Sequence, residues 1–230
     1  MASRCEDGLP PDASYAASRL CRPMCGRSLT FRQPQLWCGA MPQASFQISR
    51  DTPALYITIV TKNRLPVFRL DNIKRFICDA LNEARESGAF LIFASVIMPD
   101  HLHLLTNQPK TSADVLRYLK GITARRTIDY LRQNNFQSSL AKLQHESWKR
   151  EHKYSLWQKE KNVFSIYSEA MFMQKVNYIH LNPVRARLVE RAVDYRWSSA
   201  RIWQKCPTED EPLNVDLNQI AWRSGRSPIS

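Results

Sequence analysis

Two short stretches of this chain hold residue types that could do chemistry together. The first is His101-Leu102-His103. In a strand, side chains alternate faces, so both imidazoles would project to one side and Leu102 to the other. Two imidazoles so placed can bind one divalent ion. The same spacing also suits two partly exposed strand histidines bonded to their neighbours. The second stretch holds Tyr178 and Asn182. Residues four apart on a helix are neighbours on one face, and Lys175, three before Tyr178, can share it. That face would present a phenol, an amide and an ammonium. The alternative is a boundary tyrosine, with Asn182 capping the helix end before Pro183.

These residues need elements to position them. Ala54 to Thr61 is rich in β-branched and aromatic residues and reads as a strand, broken by Lys62, Asn63, Arg64 and Pro66. A helix follows from Asp71, its N-cap, with Ile73, Phe76, Ile77, Ala80, Leu81 and Ala84 at helical spacing and Gly88 as the stop. Phe90 to Ile97 reads as a buried strand, Met98-Pro99-Asp100 as a turn, and His101 to Leu105 as the next strand. A second helix runs from Ser112 through Tyr130, weakened midway by Gly121. Residues 134–153 are polar and basic and read as a loop; Ser155 to Tyr167 holds a short strand or two. A third helix spans Ser168 to about Leu181, ending before Pro183. The order predicts an α+β domain with helices packed on one antiparallel sheet.

Composition narrows the function. Against 21 Asp and Glu stand 33 Lys and Arg, a formal charge of +12, and surplus positive charge attracts phosphate backbones. The longest apolar runs, such as Phe90 to Val96, are too short to cross a bilayer. Six cysteines, four of them before residue 40, lack the paired short loops of a common zinc site and read as reduced thiols. Residues 1–50 carry scattered prolines and no sustained period, so they read as a poorly ordered extension. Met41 is a second candidate start. Residues 51–205 form the expected domain and 206–230 a C-terminal tail.

The stretch Met98-Pro99-Asp100-His101-Leu102-His103-Leu104-Leu105, followed about seventy residues later by Tyr178-Ile179-His180-Leu181-Asn182-Pro183-Val184-Arg185-Ala186, resembles the single-tyrosine HUH transposases. Within them the REP-associated tyrosine transposases are the nearest match. Trp157-Gln158 and Asp194-Tyr195-Arg196-Trp197-Ser198-Ser199 extend the likeness, which covers roughly residues 54–203. The resemblance implies a ferredoxin-like sheet, the HUH endonuclease fold. It implies His101, His103 and Asn182 as ligands of Mg²⁺ or Mn²⁺. It implies Tyr178 as a nucleophile that forms a 5′-phosphotyrosine and releases a 3′-hydroxyl. The implied substrate is single-stranded DNA with a small hairpin, the implied assembly a monomer in the REP-associated branch with a homodimer as the alternative, and the implied location the bacterial cytoplasm and nucleoid. Arg187 departs from the family pattern, which has Gly there.

Candidate DNA contacts follow from charge and placement. Lys62 and Arg64 lie in the turn after the first strand. Arg117, Lys120, Arg125, Arg126 and Arg132 lie on the second helix, with Lys142, Lys149, Arg150 and Lys153 beyond it. Lys175 and Arg185 flank Tyr178. Tyr130, Trp148, Tyr154 and Trp157 could stack on unpaired bases. Two other readings compete: a nucleic-acid-binding module that no longer cuts, and a small-molecule metallohydrolase, for which only His145, His152 and His180 remain as further histidine ligands.

Overall fold

Alternating apolar residues build a four-stranded sheet. In the computed structural model, which describes residues 46–144, 153–160 and 162–223, the strands are β1 (Ala54–Val60), β2 (Ile92–Ile97), β3 (His101–Thr106) and β4 (Asn162–Ile166). They lie in the order β2-β3-β1-β4, every neighbouring pair antiparallel. Helix α1 (Asp71–Gly88) joins β1 to β2, and α2 (Ser112–Gln133) follows β3. This β-α-β-β-α-β order is the ferredoxin-like split unit, as expected. After β4 come α4 (Glu169–Arg185) and the short α5 (Ala200–Trp203), with α3 (Gln137–Leu143) lying between α2 and β4.

Register decides which side chains share a face. Tyr56 lies opposite Leu105 and Phe164, Thr58 opposite His103, and Val60 opposite His101. Directly opposed residues project to the same side, so Tyr56, Thr58, His101 and His103 share one face. Helix α4 packs on β2 and β3 over that face. On the other face Leu55, Ile57, Ile59, Leu102 and Leu104 are almost fully buried, each burial contributing about 1.5–3 kcal/mol. Helices α1 and α2 pack on each other, and their Ile77, Leu81, Leu116 and Leu119 belong to the same buried core as these strand residues.

Several local expectations shift. Asp71 is not the cap of α1; Leu70 is, and the Asp71 carboxylate instead accepts from Lys74 Nζ at 2.8 Å and Trp197 Nε1 at 2.9 Å. Gly88 is the last residue of α1, and the left-handed position belongs to Ala89, with φ 50°. Glycine is needed at 88 for space, because a Cβ would come within 2.7 Å of the Phe90 ring. The loop expected over 134–153 contains α3, whose Leu140 and Leu143 are buried; residues 145–152 lie outside the described set. Pro183 does not end the third predicted helix but sits buried in the last turn of α4. That position gives up one intrahelical bond, and the chain turns out of the helix within three residues.

The domain reaches further at both ends than 51–205. Phe46 and Ile48 are buried, and the Phe46 ring stacks on Phe93 at 4.9 Å between centroids. Phe46 pairs in parallel with Ile220, and Leu213 and Ile220 are buried. The Asp216 N–H donates to Ile92 O at 2.8 Å while its carboxylate takes the Ile92 N–H at 2.9 Å and Arg85 at 2.9 Å. These short segments carry no period for a sequence pattern to catch. Residues 1–45, with Cys5, Cys21, Cys25, Cys38 and Met41, lie outside the described set; Cys78 and Cys206 are free thiols.

Candidate active site

His103 sits in the middle of β3 and is buried, while His101 begins the strand and keeps partial exposure. Their rings meet edge to face, 4.8 Å between centroids. Each ring is held at one nitrogen. His101 Nδ1 lies 2.5 Å from Asp100 Oδ1, and Asp100 Oδ2 takes Arg64 Nη1 at 3.0 Å. His103 Nδ1 lies 2.9 Å from Tyr56 Oη and 2.9 Å from Thr58 Oγ1. With Nδ1 occupied on both rings, each Nε2 is the nitrogen left for another partner. This is the orientation that hydrogen-bonded partners impose on histidine ligands.

Electrostatics keeps that lone pair available. Burial, and then the neighbouring His101, push the His103 imidazole down to about 3, against the raising effect of its hydrogen bond with Asn182. It is neutral at physiological pH. Burial pushes the Tyr56 phenol up to about 12, against an opposing hydrogen bond from Thr58, so Tyr56 stays protonated. Burial opposes charge on Asp100, but His101 and then Arg64 outweigh it and hold the carboxyl below its usual range.

Helix α4 brings the other half. Ser168 caps it, accepting from the Met171 N–H at 3.3 Å. Its buried stripe, Phe172, Val176 and Ile179, faces the sheet. Tyr178 is 39% exposed at the rim of that stripe, with its ring 5.6 Å from the His103 ring and 6.1 Å from Tyr56, edge-on to both. Asn182, one turn on, donates from Nδ2 to Tyr178 O at 2.9 Å and also hydrogen-bonds His103. Because α4 continues to Arg185, this bond lies inside the helix and does not cap its end as expected, and the same side chain reaches the imidazole. Lys175 Nζ stands 4.7 Å from the Tyr56 ring and 5.7 Å from the Tyr178 ring; Arg185 Cζ stands 4.9 Å from the Tyr178 ring.

A clasp after α4 holds this arrangement. The Tyr195-Arg196-Trp197-Ser198-Ser199 stretch runs beside β2. Tyr195 donates to Ile97 O at 2.8 Å, the Ile97 N–H donates to Trp197 O at 2.8 Å, and Val96 pairs with Ser198. Ser199 Oγ accepts from the Ser95 N–H at 2.9 Å and lies 2.9 Å from His180 Nε2. His180 is two residues from Tyr178, so β2 is tied through Ser199 to the tyrosine helix.

The predicted DNA contacts divide. Lys175 and Arg185 stand at the tyrosine, and Arg64 reaches the site through Asp100. Lys62 Nζ donates to Gln144 O at 2.7 Å. Arg125 and Arg126 both reach Glu83 on α1, at 3.5 and 2.6 Å, away from Tyr178. Lys120, on α2, donates to Gln158 O and Glu160 O at 2.8 and 3.1 Å. Trp157 is buried and donates to Thr123 Oγ1 at 3.0 Å, so it is not a stacking surface. Tyr130 packs on Phe76 at 4.8 Å. Trp148, Lys149 and Arg150, with His145 and His152, lie outside the described residues. The sequence reading missed Tyr56, Thr58 and Asp100. Tyr56 and Thr58 were detectable as two hydroxyls at strand spacing in an otherwise apolar run, and Asp100 as the carboxylate preceding His101.

An antiparallel sheet carrying paired histidines, faced by a helix carrying an exposed tyrosine, defines a class of DNA-processing domain, and the comparisons agree. Residues 54–182 match the family described as IS200-like transposases, and the chain belongs to that family. Its members are enzymes that cut and join DNA. A Haemophilus influenzae protein named as a REP-associated tyrosine transposase is 28% identical over 150 residues, 63% of this chain and 77% of that protein. Among solved structures, a REP-associated tyrosine transposase bound to a REP hairpin is 17% identical, with 77% of this chain and 93% of that chain aligned at a TM-score of 0.49. A protein from Deinococcus radiodurans described as a transposase is 25% identical over 56% of this chain and 88% of its own, with a TM-score of 0.39. Among the described residues no helix is long and apolar enough to cross a membrane.

Proposed function

We propose that this transposase cuts single-stranded DNA beside a small hairpin by direct attack of Tyr178, with a divalent metal held by His101, His103 and Asn182. The observation that carries this reading is the convergence of Tyr178 and Asn182 on the imidazole of His103. The donor set suits a metal: two imidazoles with Nδ1 engaged, and one amide oxygen. Among the described residues no cluster of three His, Cys, Asp or Glu offers a competing site. Imidazole binds a metal only in its neutral form and the amide carries no charge, so the ion's charge would remain for the phosphate. Two nitrogen donors favour Mn²⁺ over Mg²⁺, which prefers all-oxygen shells.

Bound there, the metal would neutralise the scissile phosphate and stabilise the charge that gathers in the transition state. The chain does the rest. The Tyr178 phenol gives up its proton to solvent, and Lys175 and Arg185, over its ring, stabilise the negative charge that develops. Its oxygen attacks phosphorus, the bond from phosphorus to O3′ breaks, and the leaving oxygen takes up a proton as a free 3′-hydroxyl. The phosphotyrosine keeps the bond energy, so rejoining is the same step reversed and needs no nucleotide cofactor. Phe164, 59% exposed with its ring 6.3 Å from Tyr56, offers a surface for a neighbouring base. A DNA substrate of this kind places the protein at the nucleoid, and the complete site within one chain is compatible with a monomer.

The test is incubation with a labelled hairpin single strand, with and without Mn²⁺, followed by a denaturing gel. Wild type forms a covalent protein–DNA adduct only with metal. Tyr178→Phe keeps the ring and its contacts and forms none, and His101→Ala with His103→Ala binds DNA but forms none. An adduct that persists in Tyr178→Phe and maps to another residue would overturn the assignment.

A further inference from the structure

Away from Tyr178, the solvent side of α2 and the chain at 153–159 enclose a groove of about 980 Å³. Arg117, Lys120, Arg125, Arg132, Lys153 and Lys159 line it, against one acid, Asp129. Its apolar lining is Leu116, Ala124, Ile128 and the half-buried Tyr154. Lys120 bonds the carbonyls of Gln158 and Glu160 and so ties the two walls together. Arg117, Arg125 and Arg132 are 71%, 66% and 51% exposed and meet their carboxylates at 3.3, 3.5 and 3.4 Å. Exposed pairs of this kind are worth little, so a phosphate can displace those carboxylates.

A second observation comes from Gly121, which lines the groove at mid-α2. A Cβ there would meet nothing within 4 Å, and its φ is not in the left-handed region. Neither packing nor backbone geometry calls for glycine. Apart from proline it is the poorest residue for a helix interior. What glycine does supply is bare backbone, on which a ligand's own chain can lie close.

We infer that this groove binds a single-stranded stretch of DNA, with phosphates on the cationic rim, bases or sugars over the apolar lining, and closest approach at Gly121. A duplex stem hides its base faces and offers mainly phosphates, whereas an apolar lining with a basic rim suits a strand whose bases are open. The assignment rests on the reading of this chain as acting on single strands, and it places part of the strand away from the tyrosine.

The experiment measures binding of a labelled single-stranded deoxythymidylate oligomer by fluorescence anisotropy across a salt series. Gly121→Gln puts a long side chain into the groove while improving helix propensity, so it melts at or above the wild-type temperature. Its affinity for the oligomer falls about tenfold, the scale of removing one bound base. Arg117→Ala with Arg132→Ala lowers the slope of log K against log salt by about 0.7 for each phosphate that is no longer neutralised. Adduct formation with a hairpin strand and Mn²⁺ is measured in parallel on the wild-type protein. Wild-type affinity and slope in both variants, with adduct formed normally, overturn the groove and leave the tyrosine mechanism intact. Weakened oligomer binding in the variants, with no adduct even in wild type, supports the groove and sinks the mechanism. An equal loss of affinity for a blunt duplex without single-stranded ends overturns the single-strand assignment.

Discussion

Two hydroxyls meet one imidazole nitrogen, and that redundancy predicts non-additive mutations. Tyr56 Oη and Thr58 Oγ1 each lie 2.9 Å from His103 Nδ1. Tyr56→Phe keeps the ring, and with it the contact with Lys175 at 4.7 Å, while removing one partner. Thr58→Val removes the other with little change of shape. Either single change leaves a hydroxyl to accept the Nδ1 hydrogen, so each costs about 1 kcal/mol, the net value of one hydrogen bond. The double variant leaves a buried N–H with no acceptor, which adds roughly 1–3 kcal/mol of unrecovered desolvation. Urea denaturation of the four proteins therefore gives a double variant weaker than the sum of the singles by at least about 1 kcal/mol. The functional consequence is in the same nitrogen. Without an acceptor at Nδ1 the ring gains by carrying its proton on Nε2, where the metal-binding lone pair has to be. Mn²⁺ affinity then falls about 10–100-fold in the double variant and much less in either single, as expected when a ligand loses its orienting partner. Additive stabilities within about 0.5 kcal/mol, together with unaltered Mn²⁺ affinity, would refute the reasoning.

Two further predictions rest on single residues. Burial pushes His180 down to about 4, below its ordinary value near 6.5, so the unfolded chain binds the proton first as pH falls. Its contribution to stability is complete above about pH 6.5 and declines from there toward pH 4. Between pH 7 and pH 5, wild type should lose about 2 kcal/mol more than His180→Gln in urea titrations; equal losses would show that His180 does not carry this slope. Arg187, where the family pattern has Gly, holds φ 57°, a left-handed conformation that costs a side chain about 1–2 kcal/mol. Arg187→Gly should raise the melting temperature by about 2–4 °C, after the greater freedom of the unfolded chain is subtracted, with adduct formation unchanged; a lower melting temperature would contradict the strain.

How much was legible depended on whether information was local. The strands around His101 and Tyr56, and the helix bearing Tyr178, follow from period and residue type, and their β-α-β-β-α-β order yields the fold class. The meeting of Tyr56 and Thr58 with His103 was not legible, because it depends on pairing register. A slip of one residue between β1 and β3 would put those hydroxyls on the opposite face. The misplaced end of α4 has a different cause. A proline rule based on average behaviour placed the stop before Pro183, whereas tertiary burial holds Pro183 inside the last turn. Charge was the least informative signal about place. Arg125 and Arg126 are adjacent in a basic run and both reach Glu83, yet only Arg125 lines the α2 groove.

The two halves of the site are held by different physics, and they should fail differently. The histidine half belongs to the sheet: its ring orientations come from Asp100 at the strand start and from two hydroxyls on the neighbouring strand. The tyrosine half belongs to α4, fixed by the buried Phe172, Val176 and Ile179 and by Ser199, which joins His180 to Ser95. A defect in the sheet half acts on metal affinity and is met by raising the Mn²⁺ concentration. A defect in the α4 half moves the nucleophile relative to the phosphate, where a displacement near 1 Å can cost about a hundredfold in rate, and added metal does not restore it. Ser199→Ala separates the cases. It removes the hydroxyl between α4 and β2 but touches none of His101, His103 or Asn182. Mn²⁺ affinity should stay at the wild-type value while the rate of adduct formation falls and does not recover with excess Mn²⁺. Recovery with Mn²⁺ would mean that the clasp acts through the histidines, and that the division between the two halves is wrong.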